Sequence, residues 1–191
     1  MVSARPRDRI LRTATELFRK EGIAAVGVNR IIGEADVAPM TLYRQFGSKD
    51  GLVAAALEHW GTQWLNFLAD ALDRSGDDPR ARFDGLWEAL EEWVAADGFR
   101  GSFIANGPTE LRSEPDHPAH AVIAAHRRAL RQLLEDLAAA DGAADPAGLA
   151  TQLHLLVEGA VVGALIDRHP AVTRHARELT QIALGGRTRW P

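Results

Sequence analysis

Hydrophobic residues recur at helical spacing through most of the chain, and turn residues separate the segments in which they do so. No segment alternates between apolar and polar residues over the length of a strand, and no internal repeat is present, so the pattern predicts an all-α protein of about nine helices. The expected helices cover residues 6–20, 28–35, 39–46, 49–73, 79–96, 118–140, 146–168 and 173–184, with a short or distorted helix within 102–112. The tail RTRWP is expected to be frayed.

Two short helices joined by a tight turn stand out between residues 28 and 47. Asp36 stands where the chain needs a left-handed turn residue, and Pro39 suits the first turn of the second helix. Leu42 and Phe46 are four residues apart and can face inward together. The other residues of the second helix point away from the core; these are Pro39, Met40, Thr41, Tyr43, Arg44 and Gln45. Such a face offers donors, a hydroxyl, a methyl group and a flat ring, which suits the major groove of DNA.

The run from Arg9 to Leu52 resembles the N-terminal helix-turn-helix domain of the TetR/AcrR family of bacterial transcriptional regulators. The resemblance rests on Leu17-Phe18, Gly22, Ala35, Val37, Thr41-Leu42-Tyr43, Phe46 and Ser48-Lys49. Three positions depart from the family pattern, because Gly27, Ile32 and Asp36 stand where Thr, Ala and Gly are usual. The resemblance implies DNA-binding roles for two sets of residues. Gly27, Thr41, Tyr43 and Lys49 would lie on phosphates, and Pro39, Met40, Arg44 and Gln45 would face bases or backbone.

The polar segment Asp73–Pro79 and the charge distribution divide the chain. Residues 1–50 contain nine Lys or Arg and six Asp or Glu, whereas the whole chain has a net charge of −4. We therefore expect a DNA-binding domain at 1–50 and a helical effector-binding and dimerisation domain at 51–191, bridged by the fourth helix at 49–73. The arginines at the start of the first helix form either a solvated face or, through Arg5 and Arg7, an arm that reaches DNA.

Aromatic and polar side chains on the later helices are candidates for a small-molecule site. In the TetR family the effector domain encloses such a pocket, and aromatic walls with few polar groups are typical of pockets. The same spacing is also typical of an ordinary core. The candidate ligand-binding residues are Trp64, Phe67, Trp87, Trp93, Phe103, His126, His154 and Glu158.

The eighth and ninth helices carry the prediction of a homodimer. Gly159 and Gly163 are four residues apart on an apolar helix, which permits close approach of another helix from the same chain or from a second one. In TetR-like proteins these two helices pair with their copies, so Leu179 and Ile182 join the predicted interface. On the ninth helix the face expected to be inward is Ala176, Leu179, Ile182 and Ala183. A two-fold dimer implies a pseudo-palindromic operator.

Catalytic, metal and cofactor chemistry finds little support in the sequence. There is no Cys, no phosphate-cradling Gly loop after a strand and no His-Glu-x-x-His pair, and His117, His120, His169 and His175 are interpreted as surface or capping residues. No signal peptide and no uncharged run of membrane-spanning length are apparent, so a cytoplasmic location is expected. The sequence favours a ligand-responsive transcriptional regulator, with repression expected rather than activation. It does not favour an enzyme. Two alternatives are a TetR-like protein without a pocket, and a helical small-molecule-binding or enzymatic module with a non-functional helix-turn-helix.

Overall fold

The computed structural model describes residues 5–185, and within that range the regular elements are nine α-helices. They are α1 (Pro6–Glu21), α2 (Val28–Ala35), α3 (Pro39–Phe46), α4 (Lys49–Arg74), α5 (Pro79–Ala95), α6 (Phe103–Glu110), α7 (Ala119–Ala140), α8 (Pro146–Asp167) and α9 (Ala171–Gly185). The predicted all-α class is confirmed, and most predicted boundaries lie within two residues of the observed ones. The tail RTRWP, expected to be frayed, lies outside the described residues.

Helix ends follow from capping residues that the sequence makes visible. Asp36 adopts the left-handed conformation with φ 50° and ends α2, and Gly47 ends α3 with φ 75°. The side chains of Ser48, Asp78 and Asp145 each accept a hydrogen bond from a backbone N–H in the first turn of the following helix. Each side chain thereby satisfies a donor that the helix itself leaves open.

Helix α6 runs through the Asn106-Gly107-Pro108 segment, which the sequence suggested would form a turn. The expectation of a short helix is confirmed, and the helix continues through the residues that give the turn signal. Ser102 caps the helix by accepting from Ala105 N at 3.2 Å. Gly107 lets α6 approach α7 closely, since a Cβ built there would lie 2.8 Å from Ile123 Cδ1. Packing therefore outweighs the local turn preference.

The chain divides into two compact units. Unit one combines the described residues up to Gln63 with Ser102–His126, and unit two combines Trp64–Gly101 with the described residues from Arg127 onward. Helices α4 and α7 contribute to both units. The functional division at residues 50 and 51 remains a prediction.

Each unit has its own buried core. In unit one, α1 packs on α2 and α3 around Ile10, Phe18, Ile31 and Leu42. In unit two, α5, α8 and α9 pack together around large side chains that include Phe83, Leu86, Trp87 and Leu90.

The buried face of α9 differs from the one expected. It consists of Thr173, Ala176, Thr180 and Leu184, whereas Leu179, Ile182 and Ala183 are exposed. Thr173 and Thr180 are buried because their hydroxyls donate to the carbonyls of Pro170 and Ala176. A pattern based on apolar residues misses hydroxyls that are satisfied in this way.

Helix α8 is apolar on two sides. Its inner face, which includes Leu153, Val157, Ala160 and Ala164, is buried in unit two. By length and composition alone α8 also resembles a membrane span, the only such helix found within residues 5–185, although the sequence has no uncharged run of that length. Glu158 interrupts the apolar run, and the inner face is typical of a core helix.

Candidate nucleic-acid interface

Helix α3 presents an exposed face opposite one buried anchor. Leu42 is fully buried, while Met40 and Tyr43 keep 73% and 47% of their surface exposed. Pro39, Arg44 and Gln45 are also exposed, and Thr41 is half-buried. The six residues predicted to point away from the core therefore lie largely in solvent. This face combines a cation, an amide, a phenol and a thioether on one short helix, a set that can contact both phosphates and base edges.

Two arginines of α1 contact the C-terminal ends of α2 and α3 and so position the helix-turn-helix. Arg9 donates from Nε to Ala35 O at 3.2 Å and from Nη2 to Asp36 O at 2.7 Å. These bonds satisfy carbonyls at the end of α2, where the helix leaves acceptors open. The guanidinium of Arg7 lies 5.3 Å from the centre of the Phe46 ring, over the end of α3. These positioning contacts were not predicted from the sequence, in which the arginines at the start of α1 were interpreted only as a solvated face or a DNA arm.

The basic charge near α2 is partly neutralised. Arg30 pairs with Glu21 and, at 2.8 Å, with Glu34. The hydrogen bond from Arg30 holds the pKa of Glu21 below its usual range. Gly27, the N-cap residue of α2, is exposed, and a Cβ built there would meet nothing within 4 Å. The surface at the start of α2 is thus open but carries little net positive charge.

Lys49 lies at the start of α4 and is half-buried. Its ammonium donates to Ile23 O at 2.9 Å, in the turn between α1 and α2. The phosphate contact predicted for Lys49 remains a prediction, and in this structure the ammonium has a protein acceptor.

His117, Asp50 and Glu114 lie close enough together to suggest a metal site. However, His117 Nδ1 accepts from Ala119 N at 3.1 Å, so the neutral ring carries its proton on Nε2. That nitrogen then has no lone pair for a metal, and it lies 3.7 Å from Asp50 Oδ1. The bond from Ala119 N to His117 Nδ1 caps the start of α7. Capping is one of the two roles expected for these histidines from the sequence.

The predicted ligand-binding residues fall into separate groups. In unit two, the rings of Trp64 and Trp93 meet edge to face at 5.7 Å, and His154 Nε2 lies 3.0 Å from Glu158 Oε1. Phe67 is half-buried.

The other three candidates have different settings. Trp87 Nε1 donates to Thr180 Oγ1 at 3.1 Å, which ties this ring to the core of unit two. Phe103 and His126 belong to unit one, where Phe103 meets the edge of Trp60 at 6.4 Å. Phe99 was not among the predicted residues, although its ring lies 5.1 Å from that of Trp93.

Unit two also carries a row of exposed aliphatic residues on α8. Leu155, Val162 and Ile166 share one side of the helix with the exposed Gly159. On the neighbouring α9, Leu179 and Ile182 are exposed as well. Gly163 faces its own chain instead, since a Cβ built there would lie 3.0 Å from Val172 Cγ2.

Within the described residues the structure is all-helical. The left-handed turn at Asp36 and the exposed helix α3 that follows it are the features of a helix-turn-helix protein. Residues 10–56 match the family described as bacterial regulatory proteins, tetR family. The HTH-type transcriptional repressor Rv3405c of Mycobacterium tuberculosis is 38% identical over 73 residues, which are 36% of this chain and 39% of that protein. The match thus covers less than half of this curated relative.

Two solved structures extend the similarity over nearly the whole chain. The TetR-family regulator SCO4454 of Streptomyces coelicolor has a TM-score of 0.81 and 28% identity, and covers 94% of each chain. A putative TetR-type regulator of Streptomyces avermitilis, sav143, has a TM-score of 0.77 and 29% identity over 93% of this chain and 98% of its own. Residues 10–56 are thus those of a tetR-family domain, and the fold of the chain is similar to that of TetR-family transcriptional regulators. Because members of this family are regulators, the comparisons also support the expectation that the chain is not an enzyme.

Proposed function

We propose that the protein is a cytoplasmic, sequence-specific DNA-binding regulator that places α3 in the major groove. The exposed face of α3 carries this proposal, because its polar and aromatic residues surround the buried Leu42 and leave the reading side open to a partner. Pro39, Met40, Arg44 and Gln45 face bases or backbone. Gly27, Thr41 and Tyr43 lie on phosphates, as in helix-turn-helix proteins generally. The similar mycobacterial protein is described as a repressor, which supports repression as the direction of control.

The regulator acts as a homodimer through α8 and α9. The row formed by Leu155, Gly159, Val162 and Ile166 is too apolar to be left in water without cost, and Leu179 and Ile182 lie on the adjoining helix. A second copy supplies the same row under two-fold symmetry. Gly163 remains a candidate, although its intrachain neighbour Val172 accounts for the absence of a side chain there. Two α3 helices related by the two-fold axis then require a pseudo-palindromic operator.

Regulation by a small molecule completes the proposed function. The Trp64 and Trp93 pair offers an aromatic surface in unit two, and His154 with Glu158 offers a polar pair. Phe67, Trp87, Phe103 and His126 remain further candidates. A ligand that binds only one arrangement of the helices changes the distance between the two α3 helices of the dimer, and so lowers operator affinity.

Selection of random duplex DNA with the purified protein tests the proposal. We expect enrichment of one pseudo-palindromic sequence, with affinity that falls steeply as salt rises because phosphate contacts release counterions. Recovery of no common sequence at low salt would contradict sequence-specific binding. Enrichment of a single half-site bound by a monomer would contradict the dimer alone. Quenching of tryptophan fluorescence by a panel of small molecules, followed by measurement of operator affinity with each hit, tests the ligand response.

A further inference from the structure

The backbone of Ile23 is held from both sides by side chains that are distant in sequence. Its N–H donates to Glu110 Oε2 at 2.5 Å, and its carbonyl accepts from Lys49 Nζ at 2.9 Å. Ile23 itself is buried. Both bonds involve a charged partner, and such bonds are about twice as strong as neutral ones. We name this arrangement, formed by Glu110, Ile23 and Lys49, the Ile23 clamp.

Packing of α6 fixes the position of the acidic side of the clamp. Glu110 is the last residue of α6. A Cβ built at Gly61 of α4 would lie 2.6 Å from Ile104 Cδ1, and one built at Gly107 would lie 2.8 Å from Ile123 Cδ1. At these two glycines α6 lies so close to α4 and α7 that an added side chain would have to displace Ile104 or Ile123. Any shift of α6 therefore moves the Glu110 carboxylate along with the helix.

The clamp acts on the turn that sets the direction of α2. Gly22 precedes Ile23 with φ 88° and ψ 155°, a conformation that is almost restricted to glycine. A Cβ at Gly22 would also come 3.2 Å from Glu110 Oε2. The turn leads directly into α2, which is joined to α3 by the short turn at Asp36. Holding the backbone on both sides of the Ile23 Cα thus positions both helices of the DNA-reading pair.

We propose that Glu110 and Lys49 are positioning residues that hold the α1–α2 turn through the backbone N–H and carbonyl of Ile23, so that the last turn of α6 controls the DNA-reading helices. This inference rests on the proposed DNA-binding function. It also gives Lys49 a role different from the phosphate contact expected from the family resemblance, since its ammonium is used inside the protein. Loss of either side chain weakens DNA binding by loosening the turn, without removing a contact to phosphate.

A double-mutant cycle on the enriched duplex separates the two roles of Lys49. Glu110→Ala and Lys49→Met are each expected to weaken binding about tenfold, and the double variant is expected to be little worse than either one, because both act on the backbone of the same residue, Ile23. The slope of affinity against salt should stay as in the wild type. Additive losses, with a slope reduced by about one for Lys49→Met, would show a phosphate contact and overturn the proposal. Glu58→Ala, which removes an exposed acid from α4, is the matched control and should leave affinity unchanged.

Hydrogen exchange of the free protein tests the clamp without DNA. The segment 20–27 should exchange several-fold faster in Glu110→Ala than in Glu58→Ala, while Glu110→Gln, which keeps an acceptor for the Ile23 N–H, should fall between them. Unchanged exchange in Glu110→Ala would overturn the clamp. Faster exchange with unchanged DNA affinity would overturn its control of the reading helices. If no DNA sequence is enriched, the proposed function fails, whereas the exchange measurement still decides whether the clamp exists.

Discussion

The outer faces of α3 and α8 are both exposed, but their chemistry is opposite. The α3 face carries Tyr43, Arg44 and Gln45, whereas the α8 face carries Leu155, Val162 and Ile166. A polar and aromatic face gains little from leaving water unless its partner offers matched hydrogen bonds and charge. An aliphatic face gains from any dry, complementary surface.

This difference shows that exposure alone does not identify a partner. In the proposed function the α3 face meets the phosphates and base edges of DNA, and the α8 face meets a second copy of itself. Each face also depends on buried support: in unit one on the turn around Gly22, and in unit two on the contact between Trp87 and Thr180. The following variants test the two faces first and their supports afterwards.

The largest effect is expected from Ile166→Glu on the α8 face. Ile166 is 72% exposed, so the substitution spares the fold of the free chain. In a two-fold dimer it would bury two like charges without partners, at a cost of about 3 kcal/mol or more, which corresponds to roughly a 100-fold weaker dimer. Analytical ultracentrifugation over a range of protein concentrations measures this change. Ala129→Glu on the exposed side of α7 is the control and should leave the association unchanged. If Ile166→Glu associates as strongly as the wild type, the dimer interface lies elsewhere on the chain.

On the α3 face, Arg44→Ala should weaken binding to the enriched duplex by about 1–3 kcal/mol, because a side chain that contacts base edges is lost. Binding to a scrambled duplex should change much less. Arg131→Ala on α7 removes the same charge from an exposed site and provides the control in fluorescence anisotropy titrations. Equal losses for both variants on both duplexes would reduce the role of Arg44 to its contribution to net charge.

The two faces also differ in how far the sequence predicted them. Around α3, turn residues with special backbone needs, such as Asp36 and Pro39, mark the helix ends, so the exposed residues could be assigned correctly. On α9 the apolar pattern selected Leu179 and Ile182 as inward, although buried threonines occupy that face. Hydroxyls satisfied by nearby carbonyls have no distinct sequence signature.

Contacts between distant residues were beyond prediction for a different reason. The bond between Ile23 and Glu110 spans 87 positions. The capping of α2 by Arg9 likewise depends on how helices pack. Neither follows from local spacing, and the same is true of the bond from Lys49 Nζ to the carbonyl of Ile23.

Support of the α3 face is tested by Gly22→Ala. The residue has φ 88°, and an added Cβ would lie 3.2 Å from Glu110 Oε2, so we expect a loss of about 1–3 kcal/mol in the free energy of unfolding. Gly33→Ala is the matched control, because a Cβ at that helical position meets nothing within 4 Å. It should raise stability by up to about 1 kcal/mol. Urea unfolding of the two variants measures the difference, and equal stability would mean that the turn tolerates a side chain.

The smallest effect is expected for Thr180→Val, which tests the support of the α8 and α9 face. Thr180 is fully buried, and its hydroxyl accepts from Trp87 Nε1 while donating to Ala176 O. Valine has a similar shape but leaves the indole N–H buried without an acceptor, at a cost of about 1–2 kcal/mol in the free energy of unfolding. Urea unfolding measures this loss, and the ¹⁵N shift of the Trp87 indole should report the lost hydrogen bond.

Thr151→Val is the control that separates the loss of the hydrogen bond from Trp87 from the mere removal of a threonine hydroxyl. Thr151 also donates to a carbonyl four residues back, Ala147 O, but it is exposed on α8. Because water replaces the lost bond there, its substitution should change stability by less than about 0.5 kcal/mol. If both variants lose the same amount, the Trp87 contact contributes nothing measurable. If only Thr180→Val is destabilised and its dimer also weakens, the hydrogen bond holds α9 in the position from which Leu179 and Ile182 reach the second copy.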